Sequence, residues 1–406
     1  MADAAKEPRP VSQPPQKQSV NALSVAHEAP AKAPGPLSGK TFAVKENIDV
    51  SGLVSENGHP LWAASHAPAT RNAAVIDTLS RAGARLIGKT RMDEMAYSLL
   101  GDNPHFPAPV NPASPERHTG GSSSGSAVAA AAGLVDFAIG TDTAGSCRAP
   151  AAFCGVFGFR ASHGAISMQG VIPLAPSFDT IGWFARDIDT MIAVGDALLP
   201  PDTASPARDT IRRLADAFDD RVEDFFENAE FLRARLDACD AGDVRLGATT
   251  LDEALGHFRN FQAFEAWRSV GAWIATHRPA FSPGVAQRFE IAERVTAEQE
   301  QAAEAFGRNF RTKIDALFGE SSAIVLPTAP FPAPRLDTSA AELDTIRYRL
   351  MRFFIIASYC GLPQISVPIP TTDAPLGLSF IGRRHGDRAL LAFTRRFLAN
   401  EPLARQ

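Results

Sequence analysis

The 406-residue sequence predicts an α/β protein, a single-domain α/β/α sandwich whose large mixed, mainly parallel central sheet is covered by helices. Short apolar runs alternate with amphipathic stretches, as in "AAVIDTLSRAGA" followed by "RLIGKT". Charged helical patterns fill residues 200–315, and strand-like runs return after them. Because parallel strands are joined by crossover helices, this order predicts one sheet with helices on both faces.

The individual elements follow from local patterns. Phe42 to Val44 form an apolar strand that runs into a polar turn, and Val75, Ile76 and Leu79 share one helical face that ends near Gly83. "RLIGKT" and "DFAIGTD" are typical of strands, and "RMDEMAYSLLG" and "AVAAAAGLV" of helices. "DTIRRLADAFDDRVEDFFENAEFLRARLDA" and "AERVTAEQEQAAEAFGRNFRTKIDALFG" predict long amphipathic helices, and "SAIVLPTAP", "PQISVPIP" and "GLSFIG" predict the last strands.

Residues 1–37 differ in composition from the rest of the chain. They hold seven prolines and no periodic apolar pattern. Such a segment buries too little apolar surface to offset the entropy lost on ordering. The sequence therefore predicts a disordered Pro/Ala-rich tail over residues 1–37 and one folded domain over residues 38–402.

Composition and charge limit the classes of function. The net charge is −5 and no block of Lys or Arg stands out, so we expect neither nucleic acid nor a membrane surface as a partner. No apolar run approaches the ~18 residues that a membrane helix needs. The four cysteines lack CxxC spacing, which favours reduced thiols. With no hydrophobic signal core at its start, the protein is expected to be cytoplasmic.

Two motif matches fail the test of structural context. "GARLIGKT" fits the phosphate-loop pattern, but that loop must follow a strand and open a helix, whereas here a helix precedes and a strand follows. "GSSSG" fits the nucleophile elbow around Ser123, but the preceding "VNPASPERHT" cannot be the buried strand that an elbow requires.

Histidine is the usual base for a serine nucleophile. His163 is the only histidine near the Ser/Gly-rich region that sits among small residues, and we expect it to be a structural hydrogen-bonding group. A Ser-His-Asp hydrolase stays open but has no further support in the sequence. Three other features remain: Lys45 at the end of an apolar strand, Ser122 after two glycines, and Ser146 in "GTDTAGSCRAP".

Together these features resemble the amidase signature family, from Leu37 to the C-terminus. The stretch "GGSSSGSAVAAAAGLVDFAIGTDTAGSCRAPAAFCGVFGFR" is similar to the family's Gly/Ser-rich signature, and "AVKENIDV", "GLPQISVPIP" and "LGLSFIGRRHGDRALL" add further matches in the right order. "MDEMAYSLLGDNPHF" and "SFDTIGWFARD" are most similar to the plant-type indole-3-acetamide hydrolase branch. The chain departs from the family where Ser124 and Ala144 each replace a glycine.

The resemblance implies a catalytic triad of Lys45, Ser122 and Ser146, with Ser146 as the nucleophile and a cis peptide bond before Ser122. Lysine accepts a proton only when neutral, and burial away from carboxylates disfavours its ammonium form. Glu46 must then point away from the site, as alternation along a strand predicts. The resemblance also implies an oxyanion hole made by backbone N–H groups of Thr143, Ala144, Gly145 and Ser146.

Further roles follow from position. Asp142 and Arg148 flank the nucleophile, and we expect them to brace its loop, with Ser123 as a supporting hydrogen-bonding group. Met95, Tyr97 and Trp183 could line an acyl pocket, although each also fits the protein core. The resemblance implies neither a metal nor an organic cofactor.

The predicted function is hydrolysis of a small amide substrate, an apolar or aromatic carboxamide, to carboxylate and ammonia. One alternative is a glutamine-hydrolysing amidotransferase subunit, which the length of the chain disfavours. Another is a non-catalytic docking protein with the amidase fold, which the presence of all three triad residues disfavours. A homodimer is compatible with the sequence, and the particular substrate is beyond it.

Overall fold

One sheet of eleven strands runs through the computed structural model, which describes residues 20–205, 207–218, 230–369, 371 and 373–399. Across the sheet the strands lie in the order β1-β3-β2-β4-β6-β5-β10-β11-β9-β7-β8. In chain order they are β1 (Leu23–Ala29), β2 (Thr41–Lys45), β3 (Arg85–Thr90), β4 (Phe137–Asp142), β5 (Phe157–Arg160), β6 (Thr180–Ala185), β7 (Arg208–Leu214), β8 (Asp240–Val244), β9 (Ser321–Pro327), β10 (Gln364–Ile369) and β11 (Leu376–Gly382).

Eleven α-helices lie within the described residues. They are α1 (Pro60–Ser65), α2 (Ala74–Arg81), α3 (Ser124–Ala131), α4 (Arg148–Cys154), α5 (Ile188–Leu198), α6 (Glu230–Cys239), α7 (Ala248–His277), α8 (Pro283–Arg294), α9 (Ala297–Leu317), α10 (Ala340–Cys360) and α11 (Asp387–Leu398). None of these helices combines the length and the apolar character needed to cross a bilayer.

Helices cover both faces of the sheet, and this confirms the predicted α/β class. α2, α5 and α11 pack on one face, and α3 and α4 pack on the other. α7, α9 and α10 pack against one another on that second side. Alternation along β9 shows the two faces directly, because Val325 enters the core on the α2 side and Leu326 enters the core under α7 and α10.

The sheet is mixed, as predicted, but it is not mainly parallel. The β2–β3, β2–β4, β7–β8 and β7–β9 pairs are parallel, and the other six pairs between the described strands are antiparallel. The reason lies partly in β10 and β11, which are only six residues apart in the chain, too few for a crossover helix, so they pair antiparallel.

The prediction of a disordered tail over residues 1–37 is wrong for its second half. Leu23–Ala29 form β1, which pairs antiparallel with β3 at the edge of the sheet. The buried side chains of Val20 and Ala22 anchor this strand in the core beside α3. Long-range pairing thus orders a segment whose composition alone favours disorder. Residues 1–19 lie outside the described residues.

A helix was also predicted over "RMDEMAYSLLG", but only Glu94–Ala96 form a single 3₁₀ turn. Met95 and Ala96 have φ values of 52° and 56°, in the left-handed region, where an α-helix cannot continue. Asp93 binds the backbone N–H of Gly101 and thereby holds the following loop in a non-helical path.

The helical segment predicted over residues 200–315 is helical only in part. "DTIRRL" forms β7 instead of a helix, because it pairs with β9 on one side and β8 on the other. Residues 219–229 of the same predicted helix lie outside the described residues. The next predicted helix is split at Thr296, whose side chain and that of Gln299 form a capping box that starts α9.

Candidate active site

Lys45 ends β2 with its side chain fully buried. The next residue, Glu46, turns the other way, and its Oε1 lies 3.1 Å from Nζ of the buried Lys89 on β3. Glu46 Oε2 accepts a hydrogen bond from Ser24 on β1. Alternation along the strand therefore separates this carboxylate from Lys45, as the sequence predicted.

The structure brings Lys45, Ser122 and Ser146 together in one chain of hydrogen bonds. Nζ of Lys45 lies 2.8 Å from Oγ of Ser122, which in turn lies 3.0 Å from Oγ of Ser146. The Gly121–Ser122 peptide bond is cis, as the family resemblance implied. A second hydroxyl, that of Thr141 on β4, lies 2.9 Å from Lys45 Nζ. Sequence reasoning did not identify Thr141.

Burial changes the acid–base behaviour of this lysine. Desolvation lowers the pKa of Lys45 to about 8, although the carboxylates of Asp93, Asp142 and Asp179 favour the ammonium form. At pH 7 about a tenth of the amine is therefore uncharged and able to accept a proton, far more than for a solvated lysine.

Asp93 is a second residue of the site that the sequence did not reveal. Its carboxylate packs against Gly121, where a Cβ atom would lie 2.0 Å from Asp93 Oδ2. Its backbone N–H donates to the carbonyl of Ser122 at 3.1 Å. Burial raises the pKa of Asp93 to about 7. Asp93 thus fixes the backbone on either side of Ser122, and no side chain larger than that of glycine fits at position 121.

The loop between β4 and α4 carries the nucleophile and the predicted oxyanion hole. Among the described residues, no acceptor binds the backbone N–H groups of Thr143, Ala144 and Ser146. The N–H of Gly145 differs from the prediction, because it donates to Asp142 Oδ1 at 2.9 Å. Gly145 has φ +115° and packs against Phe354 so closely that a Cβ atom would lie 2.1 Å from the ring. Gly145 therefore shapes the loop and does not itself bind an oxyanion. The backbone N–H groups of Thr143, Ala144 and Ser146 remain for that role.

Asp142 braces this loop, as predicted. Its buried carboxylate accepts from the N–H groups of Gly145 and Cys147 and from Nε and Nη2 of Arg148. Arg160 adds a third charged contact at 3.1 Å. Burial alone would raise the pKa of Asp142, but the guanidinium groups of Arg148 and Arg160 hold it well below its usual range. The loop is thus fixed by a buried carboxylate that stays charged.

The exchange Asp142→Asn tests this brace. We expect the free energy of unfolding to fall by about 3–5 kcal/mol, because the two buried guanidinium groups lose their counter-charge. Denaturant unfolding monitored by circular dichroism measures the change. Glu304→Gln, which removes an exposed i,i+4 pair with Arg308, is the control and should cost about 0.5 kcal/mol or less. Equal effects of the two exchanges would contradict the brace.

A cavity of about 290 Å³ opens beside Ser146. Its floor is formed by Thr143, Ala144 and Ser146, and its walls come from the loop at residues 96–99 and from α7, α8 and α10. Ala144, one of the departures from the family pattern, thus lines this cavity. Tyr97 lines the cavity as well, whereas Trp183 lies in the protein core.

His59, Glu94 and His105 are the only group of metal-ligating side chains found among the described residues, with ligand atoms within 4.8 Å of one another. Hydrogen bonds already occupy these atoms. His59 Nδ1 accepts from the N–H of Leu61, so its Nε2 carries the proton and faces the carbonyl of Ala280. Glu94 binds His105 and both the N–H and the hydroxyl of Ser282, the residue that precedes α8. The group therefore anchors the start of α8.

The motifs that the sequence analysis set aside have structural roles. "GARLIGKT" spans the turn after α2 and then β3, and its lysine, Lys89, is the buried partner of Glu46. Ser123 donates to the carbonyl of Thr141 at 3.1 Å, as expected of a supporting hydrogen-bonding group. His163 contacts the carbonyl of Pro176 through Nε2.

Comparison with known proteins identifies the family. The family model described as Amidase matches residues 18–230 and 247–391. "Amidase 1" of Arabidopsis thaliana is 36% identical over 413 residues, which cover 92% of this chain and 96% of that protein. "Outer envelope protein 64, chloroplastic", also from Arabidopsis thaliana, is 36% identical over 89% of this chain and 67% of its own length. A solved amidase crystal structure superimposes with a TM-score of 0.81 and 27% identity, covering 94% of this chain and 92% of that one.

The sheet with its helices and the similarity over nearly the whole chain define an amidase, a hydrolase of amide bonds. The chain belongs to the amidase signature family, and plant Amidase 1 proteins are among its curated relatives.

Proposed function

We propose that the protein hydrolyses a small carboxamide with an apolar or aromatic acyl group to a carboxylate and ammonia, through an acyl-enzyme on Ser146. The observation that carries this proposal is the chain of contacts from the buried amine of Lys45 through Ser122 to Ser146, at 2.8 and 3.0 Å. Both distances are short enough for direct proton transfer.

In the first half of the reaction, Oγ of Ser146 attacks the amide carbon. Its proton passes to Ser122 as the proton of Ser122 passes to neutral Lys45. The negative charge on the carbonyl oxygen is bound by the free N–H groups of Thr143, Ala144 and Ser146. When the intermediate collapses, the C–N bond breaks. The leaving nitrogen takes a proton from Ser122, Lys45 returns one to Ser122, and ammonia departs.

In the second half, water attacks the ester on Ser146. The same relay accepts the proton of the water, and the bond between Ser146 Oγ and the acyl carbon breaks. Ser146 regains its proton from Ser122, so the acid is released and the enzyme returns to its starting state. One amide and one water give one carboxylic acid and one ammonia, which exchange a proton in solution.

The apolar part of the cavity lining supports an apolar acyl group. Leu99, Leu174 and Met351 contribute aliphatic side chains, and Tyr97 adds an aromatic ring. A cavity of about 290 Å³ is at the small end of ligand-binding pockets, which favours a small substrate.

Two alternatives from the sequence have less support. A docking protein has no need of a buried lysine that contacts Ser122 and, through it, Ser146. The similarity to "Outer envelope protein 64, chloroplastic" is the reason to test this class. A glutamine-hydrolysing amidotransferase subunit would require glutamine as substrate and a partner subunit. Ammonia release from simple amides by the isolated chain separates the leading proposal from both. A cytoplasmic location and a homodimer remain predictions.

The test of the proposal is the pH dependence of covalent labelling and hydrolysis. A fluorophosphonate should label Ser146, which peptide mass spectrometry can locate. Because the neutral form of Lys45 is the base and its pKa is lowered to about 8, the labelling rate and kcat/KM should rise with pH and reach half their plateau near pH 8. Below pH 7 they should fall about tenfold per pH unit. Labelling at another residue, or a rate that is constant from pH 6 to 9, would contradict the proposal.

A further inference from the structure

Three arginines line the cavity beside Ser146, and each comes from a different helix. Arg259 lies on α7, Arg288 on α8 and Arg347 on α10. Asp344 is the only carboxylate among the described residues that line the same cavity. The lining of this cavity therefore carries three positive charges against one negative charge, which the hydrolysis of a neutral amide alone does not require.

These guanidinium groups have few hydrogen-bond acceptors among the described residues. Within the described part of the chain, no acceptor binds Arg288, whose Nε is buried and unsatisfied. The guanidinium carbon of Arg288 lies 5.5 Å from the ring centroid of Tyr97. That of Arg259 lies 5.8 Å from the ring centroid of Tyr348, and Arg259 likewise has no hydrogen-bond acceptor among the described residues. Arg347 reaches only Asp344, at 3.4 Å, and that carboxylate is 74% exposed.

The three charges also repel one another. Burial, and then the neighbouring charge of Arg347, lowers the pKa of Arg288 to about 10. The pKa of Arg347 is lowered by burial as well, and Arg259 adds to this effect. A bound anion would remove both the repulsion and the unsatisfied N–H groups, and a guanidinium binds a planar carboxylate through two parallel hydrogen bonds.

We propose that Arg259, Arg288 and Arg347 form a subsite for a carboxylate at the far end of the acyl chain, so that the substrates are monoamides of dicarboxylic acids. This inference rests on the proposed function, because it places the amide of the same molecule at Ser146. Leu174 and Met351 line the same cavity and would contact the methylene groups of the chain. The apolar acyl group predicted from the sequence then corresponds to the methylene chain between the amide and the carboxylate of the substrate.

The test compares two series of amides on the purified chain. The monoamides of dicarboxylic acids, from succinamate to suberamate, are measured against amides of the same chain length that end in a methyl group. For the wild-type protein we expect kcat/KM to favour the acid-ended amide by about tenfold to a hundredfold at the best chain length, the range typical of hydrogen bonds to charged groups.

The exchange Arg288→Gln should remove most of this preference, and Arg288→Lys should restore it only in part, because lysine keeps the charge but loses the planar fork. Arg347→Gln should weaken the preference in the same way, and it replaces Arg288→Gln if that variant does not fold. Arg308→Gln, an exposed position on α9 away from the cavity, is the matched control and should keep the wild-type preference.

The outcomes separate this inference from the proposed function. If a fluorophosphonate labels Ser146 and methyl-ended amides are hydrolysed as well as acid-ended ones, the carboxylate subsite is wrong and the amidase mechanism stands. A preference that survives in both Arg288→Gln and Arg347→Gln also overturns the subsite. If Ser146 is not labelled and no amide of either series is hydrolysed, both proposals fail.

Discussion

Alanine in place of Ser146 is expected to reduce kcat for amide hydrolysis on the order of 10⁶-fold, the scale on which a serine hydrolase loses activity without its nucleophile. Among the described residues, the side chain of Ser146 makes one hydrogen bond, to Ser122, and the neighbouring loop is held by Asp142 through other atoms. The fold should therefore remain intact while the acyl-enzyme can no longer form.

Ammonia release measures this effect, and circular dichroism with thermal unfolding checks the fold. Ser167→Ala, at an exposed position outside the cavity, is the control and should retain wild-type turnover. Loss of fluorophosphonate labelling should accompany the loss of activity in Ser146→Ala alone. Near wild-type turnover in purified Ser146→Ala would exclude Ser146 as the nucleophile.

The second large effect is expected for Lys45. Lys45→Met keeps the length of the side chain but cannot accept a proton, and we expect kcat/KM to fall about 10²- to 10⁴-fold. Lys45→Arg keeps a positive charge that is not lost in the accessible pH range, so it should be as inactive as Lys45→Met. Recovery of activity in Lys45→Arg would mean that position 45 supplies only charge.

Steady-state kinetics over pH 6–10 measures both variants. Lys313→Met, an exposed lysine on α9, is the control and should match the wild-type profile. The rise in rate with a midpoint near pH 8 should be absent from both Lys45 variants. If Lys45→Met stays within tenfold of wild-type activity, another group must be the base, and a histidine would be the first candidate.

The sequence predicted correctly the features that depend on residues close together in the chain or on family motifs. The apolar strand before Lys45 predicted that the side chain of Glu46 would point away, and Glu46 indeed pairs with Lys89. The inverted order of helix and strand around "GARLIGKT" was sufficient to reject a phosphate loop. The resemblance to the family predicted that Ser122 and Ser146 belong to one site with Lys45. In the structure Ser122 contacts Lys45, and Ser146 contacts Ser122.

The sequence failed where tertiary contacts override local preference. β1 is ordered by pairing with β3 and by burial of Val20 and Ala22, and neither can be read from a proline-rich composition. The N–H of Gly145 was assigned to the oxyanion hole, but Asp142 binds it, because the loop folds back on the end of β4. Backbone hydrogen bonds of this kind have no signature in residue types.

The arginine subsite could not have been predicted either. Arg259, Arg288 and Arg347 lie far apart in the sequence, and each is an ordinary polar residue on an amphipathic helix. Their convergence depends on how α7, α8 and α10 pack over the sheet, and α8 in turn is anchored where Ser282 binds Glu94. The charge of the cavity is thus a property of the fold, and its expected effect on substrate choice can be measured separately from the chemistry at Ser146.

The most direct test of the mechanism is a titration of Lys45 itself. The chain contains only seven lysines, so ¹³C labelling of lysine side chains should give resolved signals, and Lys45→Arg identifies the one that belongs to Lys45. We predict that the Cε chemical shift of Lys45 titrates with a midpoint near pH 8. A midpoint above pH 10, the ordinary range of a solvated lysine, would show that almost none of the amine is neutral at pH 7 and would contradict the mechanism.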